Sequence, residues 1–121
     1  MARVEEVRVE ASQTDEYRVC VQELLNQYVT DRPQSEEIET QLVVDKEHDH
    51  YQIVNVGWVN KRRVYGCILH IDIKGNKVWI QHNGTERFVA EELVALGIPK
   101  EHIVLGFHSP YRRQFTEFGV N

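Results

Sequence analysis

The chain has 121 residues, the size of a single domain, and its 41% hydrophobic and 27% charged residues are typical of a folded domain rather than a disordered one. Its net charge of -5 argues against a free-standing nucleic-acid binder, because such proteins gain affinity from many Lys and Arg side chains on phosphates. No apolar run has the length of a signal peptide or a membrane span, so neither is expected.

The first part of the chain predicts a leader and then a long helix. Residues 1–12 alternate valine with charge and are expected to be loosely ordered before a single domain over residues 13–121, a short strand being the alternative. From Thr14 apolar residues recur at helical spacing, and Ser12 or Thr14 is the expected N-cap. Pro33 should end the helix. The predicted apolar stripe consists of Tyr17, Cys20, Val21, Leu24, Leu25 and Tyr28.

Four strands separated by polar turns follow, and their order predicts an antiparallel meander. Their sequences are EIETQLVVD, HYQIVNVGWV, VYGCILHIDIK and KVWIQH. Gly75 and Asn76 form a two-residue hairpin signal, because both residue types tolerate positive φ. The pairs then expected to face each other are Lys74 with Lys77, Ile73 with Val78, Asp72 with Trp79, Ile71 with Ile80 and His70 with Gln81.

A second helix is expected in GTERFVAEELVALGIP, with Thr85 as its N-cap and Gly97 just after its C-terminus. Its core-facing side chains should be Phe88, Val89, Leu93 and Leu96. HIVLGF then adds a strand or simply packs, and an irregular tail ends the chain. The fold class is therefore α+β: a four-stranded antiparallel meander preceded by one long helix and followed by a second helix, a short turn or strand and the tail.

The predicted sheet has apolar residues on two faces. Tyr65, Cys67, Leu69, Ile71 and Ile73 define the core face, whereas the second face carries Leu42, Val44, Tyr51, Ile53, Val64 and Ile68. Two helices can cover one face, so the other needs the tail or another subunit, and a homo-oligomer or a tight complex subunit is expected. The predicted interface residues are Trp79, Asp72, His70, Ile68, Tyr51, Tyr111, Phe115 and Phe118.

Two histidine-containing groups have spacings that occur in active sites. His70 and Asp72 could be a base and its orienting carboxylate, but same-face neighbours on a strand stand about 7 Å apart at Cα and no nucleophile is fixed beside them. His48, Asp49 and His50 could chelate a metal, but no third ligand follows at fixed spacing. A solvated or interface face is favoured for the first group and a polar loop for the second, so no catalytic residue, metal ligand or cofactor is assigned.

Basic residues lie beside aromatic ones at two places in the chain. They are Lys61, Arg62 and Arg63 in one turn, and Arg112 and Arg113 after Tyr111. If the two groups met in space, they would form a basic-aromatic patch able to bind phosphate or an acidic partner. Ordinary solvated charge is the alternative and is favoured.

From about Tyr17 to Phe118 the chain resembles the XisI-like proteins, a cyanobacterial family called fdxN element excision controlling factor. The resemblance is carried by IVNVGWVNKRRVYGCILHIDIKGNKVWIQHNGTE, by ELVALGIPKEHIVLGFHSPYRRQFTEFGV and by EIETQLVVD. It implies a small cytoplasmic α+β protein that controls excision of a DNA element, while a separate recombinase performs the strand chemistry. It also implies a nuclease-like companion of the XisH type, and it places no catalytic residues on this sequence.

Two functions of different classes follow from the sequence. The first is a non-enzymatic accessory subunit that binds itself and a XisH-like or recombinase partner through the Trp79 face and the aromatic tail. The alternative is a direct DNA-binding or nucleic-acid-processing protein that uses the two basic groups, which the net charge of -5 disfavours.

Overall fold

A long helix precedes a five-stranded sheet, and shorter helices complete the fold. The computed structural model describes residues 2–33 and 35–121, with side chains from residue 13 onward. The elements are α1 (Ala2–Asp31), β1 (Ile38–Asp45), β2 (His50–Val59), β3 (Arg62–Lys74), β4 (Lys77–Asn83), α2 (Val89–Ala95), a 3₁₀ turn (Lys100–His102), β5 (Ile103–Leu105) and α3 (Pro110–Arg113). The sheet order is β1-β2-β3-β4-β5. The predicted meander is confirmed for β1–β4, but the sheet has five strands rather than four. The HIVLGF segment, for which a strand was one of two expectations, adds β5 as a parallel edge strand beside β4.

The apolar stripe of α1 packs against the sheet as its helical spacing predicts. Tyr17, Val21, Leu24 and Leu25 are at most 3% exposed, and the other two residues of the stripe are partly buried against the same core. The helix ends at Asp31, so the stop predicted before the proline is confirmed.

The start of α1 differs from the prediction. The helix begins at Ala2, so Ser12 and Thr14 lie inside it and neither is the N-cap. Ala, Glu and Arg are frequent among the first residues, and their helix propensity continues the backbone past both capping candidates. The looseness of residues 1–12 stays a prediction, because Met1 and the side chains of residues 2–12 lie outside the described part. None of the helices described is both long and apolar enough to cross a bilayer.

The β3–β4 hairpin has the predicted turn. Gly75 and Asn76 both have φ of 60°, as a two-residue type I′ turn requires. The four residue pairs nearest this turn have the predicted register. The fifth does not: His70 lies opposite His82 rather than Gln81, because a bulge interrupts the ladder after His70.

A second bulge decides which side chains are buried. The register between β2 and β3 shifts by one residue at Ile68, so Ile53 pairs with Leu69 and Tyr51 with Ile71. Tyr51 and Ile53, predicted on the second face, are therefore 0% exposed on the face that the helices cover. Conversely, Tyr65, predicted in the core, is 72% exposed on the other face. The same shift places Leu42, Val44 and Val64 on the helix-covered face and Cys67 opposite it.

Helix α2 is shorter than its sequence pattern predicts. Thr85 lies in the turn before it, and Phe88 takes the N-cap position with its ring 76% exposed, so the predicted cap and the predicted burial of Phe88 are wrong. The predicted burial of Val89 and Leu93 is confirmed. The C-terminal end is as predicted. Gly97 has φ of 113°, and the N–H of Ile98 donates to the carbonyl of Leu93 at 3.1 Å, which is the Schellman arrangement.

The C-terminal tail folds back over the β4–β5 edge of the sheet. The N–H of Gly119 donates to the carbonyl of Ile103 at 2.8 Å, and Phe118 is partly buried against the core. Tyr111 and Phe115 are 69% and 72% exposed, with their rings 5.2 Å apart. Docking of the tail is confirmed for Phe118, whereas the other two aromatic rings face solvent.

Candidate functional site: the open face of the sheet

The face of the sheet opposite α1 and α2 is only partly covered by this chain, and we call it the open face. Cross-strand partners share a face, so the ladders place on it Val43, His50, Gln52, Val54, Val56, Trp58, Arg63, Tyr65, Cys67, His70, Asp72 and Trp79. Val43 is 43% exposed and Trp58 is 58% exposed. A buried sheet face would not leave side chains of this size in solvent, so the central strands offer a surface for contact.

An aromatic cluster lies where the β2–β3 hairpin turns. The guanidinium carbon of Arg63 lies 5.5 Å from the ring centre of Trp58 and 5.9 Å from that of Tyr65. Both separations fall within the range of cation–π attraction, so the cation holds the two rings in place. We refer to Trp58, Arg63 and Tyr65 as the aromatic cluster. Residues of these types, already ordered by each other, are those that contribute most to protein interfaces.

A histidine–aspartate cluster occupies the other end of the open face. His50 Nδ1 lies 2.7 Å from Asp72 Oδ1, and His70 Nε2 lies 2.8 Å from the same oxygen. The amide of Gln81 donates to Asp72 Oδ2 at 3.2 Å. The Asp72 side chain is only 13% exposed, whereas that of His50 is 55% exposed. The three side chains form a polar site with a shielded carboxylate and an accessible imidazole.

The pKa values in this cluster follow from those contacts. The hydrogen bond to Asp72, with the attraction of its charge, raises the pKa of His50. Burial acts to raise the pKa of Asp72, but the hydrogen bonds from His50 and His70 outweigh it and the pKa is lowered. The carboxylate is therefore ionised at neutral pH and keeps its full capacity to accept hydrogen bonds or a cation.

The sequence identified two of these three residues. His70 and Asp72 were paired by their spacing, and the structure brings them into hydrogen-bonding contact. His50 was assigned instead to the group with His48 and Asp49. In the structure these two have other partners: His48 Nδ1 contacts Asp45, and Asp49 turns inward to Arg18. The signal that identifies His50 is its position as the first residue of β2, directly opposite Asp72.

An ion pair beneath the site fixes the turn that leads into β2. Arg18 on α1 donates from Nε to Asp49 Oδ1 at 2.8 Å and from its terminal nitrogen to Oδ2 at 3.0 Å. The hydroxyl of Tyr51 also donates to Asp49 Oδ1 at 2.9 Å. The hydrogen bond from Arg18 lowers the pKa of Asp49, while burial and the bond to Asp49 raise the pKa of Tyr51 to about 12. These contacts position the backbone of His50.

Trp79 is less accessible than a central interface residue would be. Lys74 Nζ lies 4.0 Å from its ring centre, and the guanidinium of Arg113, from the tail, lies 5.1 Å away. Trp79 is therefore half-buried between two cations. Of the other predicted interface residues, Tyr51 lies on the opposite face and Ile68, the bulged residue, is partly buried against the core. The exposed part of the open face is centred on the aromatic cluster.

The two predicted basic groups do not meet. Arg63 lies nine residues before Asp72 on β3, and Trp79, the cross-strand neighbour of Asp72, contacts Arg113. At the rise of an extended strand, Arg63 is roughly 30 Å from Asp72 at Cα, and Arg113 lies at the Asp72 end of the strand, against Trp79. The premise of one combined basic-aromatic patch is therefore wrong, and each basic group must be considered separately.

These features define a small α+β protein with one helix-covered sheet face and one face left open for contact. The chain belongs to the XisI family, since the sequence model of the family described as "XisI protein" matches residues 11–120. A XisI-like protein from Anabaena variabilis has a crystal structure that is similar with a TM-score of 0.85 and 46% identity, over 89% of this chain and 99% of that one.

A second structural relative carries a functional name. The crystal structure of fdxN element excision controlling factor XisI from Anabaena variabilis has a TM-score of 0.79 and 32% identity, covering 90% of this chain and 99% of that chain. No curated protein matches this chain. The family resemblance read from the sequence is thus confirmed.

Proposed function

We propose that this chain is a non-enzymatic accessory protein in the excision of a DNA element, and that it acts by binding protein partners through its open face. The observation that carries this proposal is the exposed aromatic cluster on a sheet face that the helices do not cover. The 32% identity to an fdxN element excision controlling factor supports the proposal that the contact is made during excision of a DNA element.

The composition of the open face supports a protein partner. Trp58 and Tyr65 are 58% and 72% exposed, and Arg63 lies between them. Trp, Tyr and Arg are the residue types most enriched among residues that dominate binding energy, and contiguous exposed apolar surface marks binding sites. Polar residues of the histidine–aspartate cluster border this surface, as a polar rim borders the apolar centre of an interface.

Two kinds of partner fit this surface. One is a second copy of the chain, which would cover two open faces at once in a homo-oligomer. The other is a XisH-like nuclease-related protein or a site-specific recombinase, which would carry out the strand chemistry that this chain lacks. Both partners would use the same aromatic cluster, so the XisH-like protein or recombinase would displace the second copy of the chain when it binds.

Binding measurements on single-residue variants test the contact. The chain is mixed with a XisH-like protein and, separately, with a recombinase of the same organism, and each affinity is measured by isothermal titration calorimetry. Trp58→Ala and Tyr65→Ala should each weaken at least one complex by about tenfold or more, equivalent to about 1.4 kcal/mol. The matched control is Phe88→Ala, since Phe88 is 76% exposed but lies at the start of α2 and away from the open face.

Three results would contradict the proposal. One is that neither partner binds and light scattering shows the chain to be monomeric. Another is that the control variant weakens binding as much as the aromatic-cluster variants do. The third is that the purified chain alone breaks or joins DNA strands. A salt-dependent duplex shift that Arg63→Ala abolishes would instead favour direct DNA binding.

A further inference from the structure

We propose that His50, His70 and Asp72 form a binding site for one divalent transition-metal ion of the zinc type on the open face. The site is distinct from the aromatic cluster, because its donor atoms lie at the opposite end of the open face. Two imidazoles and one carboxylate are a donor set that Zn²⁺ accepts, with water completing the coordination.

The donor atoms of the three residues lie close to one another. One ligand atom from each of the three residues lies within 4.8 Å of the other two. In a tetrahedral zinc site with bonds of about 2.0–2.2 Å, neighbouring ligand atoms stand about 3.4 Å apart. The observed separations of 2.7 Å and 2.8 Å from the two rings to Asp72 Oδ1 need to widen by about 0.6–0.7 Å, and the two ring nitrogens, which lie within 4.8 Å of each other, need to reach the same spacing. His50 is 55% exposed and has room to turn.

The backbone holds the three donors in a fixed relation. His50 and Asp72 are direct cross-strand partners on β2 and β3, and His70 is on the same face two residues before Asp72. Sites built on paired strands hold their ligands more accurately than sites on loops. The ladder therefore supplies a preformed arrangement rather than one that must assemble around the ion.

Polar groups behind the donors supply the outer contacts that metal sites use. Gln81 donates to Asp72 Oδ2 at 3.2 Å, which leaves Oδ1 directed at the two rings. The amide of Gln52 lies 3.4 Å from His70 Nδ1, the nitrogen that faces away from Asp72. Such contacts orient ligating side chains and set which nitrogen faces the ion.

The two tryptophans allow a local measurement. Trp79 is the cross-strand neighbour of Asp72, whereas Trp58 lies at the far end of β2, and the chain has 2 tryptophans. In a Trp58→Phe background, Trp79 is therefore the sole tryptophan. Stoichiometric Cu²⁺ or Co²⁺ should quench its fluorescence, Co²⁺ should show the visible absorption of a four-coordinate site, and competition with a chromophoric chelator gives the Zn²⁺ affinity.

The expected result is one ion per chain with loss in specific variants. His50→Ala, His70→Ala and Asp72→Asn should each weaken Zn²⁺ binding by about tenfold or more. His48→Ala is the matched control, because its ring stacks 6.4 Å from that of His50 but its Nδ1 contacts Asp45. That variant should keep the full affinity, as should Trp58→Phe.

Several results would overturn the site. They are the absence of Trp79 quenching at stoichiometric metal, equal loss of affinity in His48→Ala, and unchanged affinity in His50→Ala. The half-exposed His50 can be removed without disturbing the core, so this variant remains informative if Asp72→Asn fails to fold. The titration uses the isolated chain, so failure of the metal site and failure of the partner contact are separate outcomes.

Discussion

Replacing Asp49 by Asn tests how the β1–β2 turn is held on α1. The substitution keeps the size of the side chain, and Asn tolerates the left-handed backbone that Asp49 adopts with φ of 58°. It removes the negative charge that accepts two hydrogen bonds from Arg18 and one from Tyr51. Any change in stability therefore reports the charge and its hydrogen bonds rather than backbone strain.

The magnitude follows from those contacts. A hydrogen bond to a charged group contributes about 1.5–3 kcal/mol to stability, and removing the acceptor costs this amount when the donor finds no other acceptor. The Asp49 side chain is 14% exposed, but that of Arg18 is 32% exposed and keeps solvent and Asp15 as partners. We therefore expect Asp49→Asn to lower the free energy of unfolding by about 2 kcal/mol. In a chain of this size that corresponds to a fall in Tm of about 6–10 °C.

Urea unfolding at several pH values measures the effect. The pKa of Asp49 is lowered in the folded chain, chiefly by the hydrogen bond from Arg18, so its charge stabilises the fold above the unfolded pKa. That contribution is complete at pH 7 and is lost as the pH falls from about 4 through the folded pKa. The difference in unfolding free energy between the wild type and Asp49→Asn should therefore be largest near pH 7 and should approach zero in acid.

Asp15→Asn is the matched control, because the same arginine receives the same chemical change at an exposed position. Asp15 contacts Arg18 at 2.6 Å with its side chain 67% exposed, so its loss should cost about 0.5 kcal/mol or less. If Asp49→Asn destabilises the chain no more than this control, or if its effect is independent of pH, the described role of the partly buried Arg18–Asp49 ion pair is wrong.

Two further predictions concern the sheet and the core, and both use urea unfolding. Gly57→Ala should destabilise the chain by about 1–3 kcal/mol, because the added Cβ would lie 2.1 Å from the carbonyl oxygen of Glu37. The control is Gly66→Ala, which should be close to neutral because its added Cβ has nothing within 4 Å. Equal effects of the two substitutions would contradict the described packing of β1. Leu93→Ala should lower the free energy of unfolding by about 2–5 kcal/mol, because Leu93 is 0% exposed in the core. The control Val19→Ala, at a side chain that is 64% exposed, should change it by no more than about 0.5 kcal/mol. No loss of stability in Leu93→Ala would show that α2 does not pack as described.

Local sequence patterns were sufficient to predict the β3–β4 hairpin and the long helix. They did not predict the one-residue shifts in strand register that the bulges introduce. Gly75 and Asn76 define their turn by backbone preference alone, and the stripe of α1 repeats over several turns, so both could be predicted. The bulge at Ile68 has no such signature, yet it reverses the face of Tyr65 relative to Ile71. Period-two patterns carry no information about where one extra residue enters.

The candidate site was only partly predictable for the same reason. His70 and Asp72 are close in sequence, so their pairing needed no knowledge of the sheet. His50 joins them across 22 residues of chain, through the β2–β3 register that the bulge alters. The aromatic cluster depends instead on the register next to the β2–β3 turn, which pairs Trp58 with Arg63 and so puts Trp58 and Tyr65 on the same side of the sheet.

The outer edge of β1 limits how copies of this chain can associate. β1 has one neighbouring strand, so its other side presents unpaired backbone groups along the described strand. Glu39 lies near its start and Asp45 at its end. Two such edges running antiparallel would bring the acidic ends of both copies together, and like charges across a strand pair repel. Growth into continuous ribbons is thereby opposed, and aggregation by sheet extension should be slow even at high concentration.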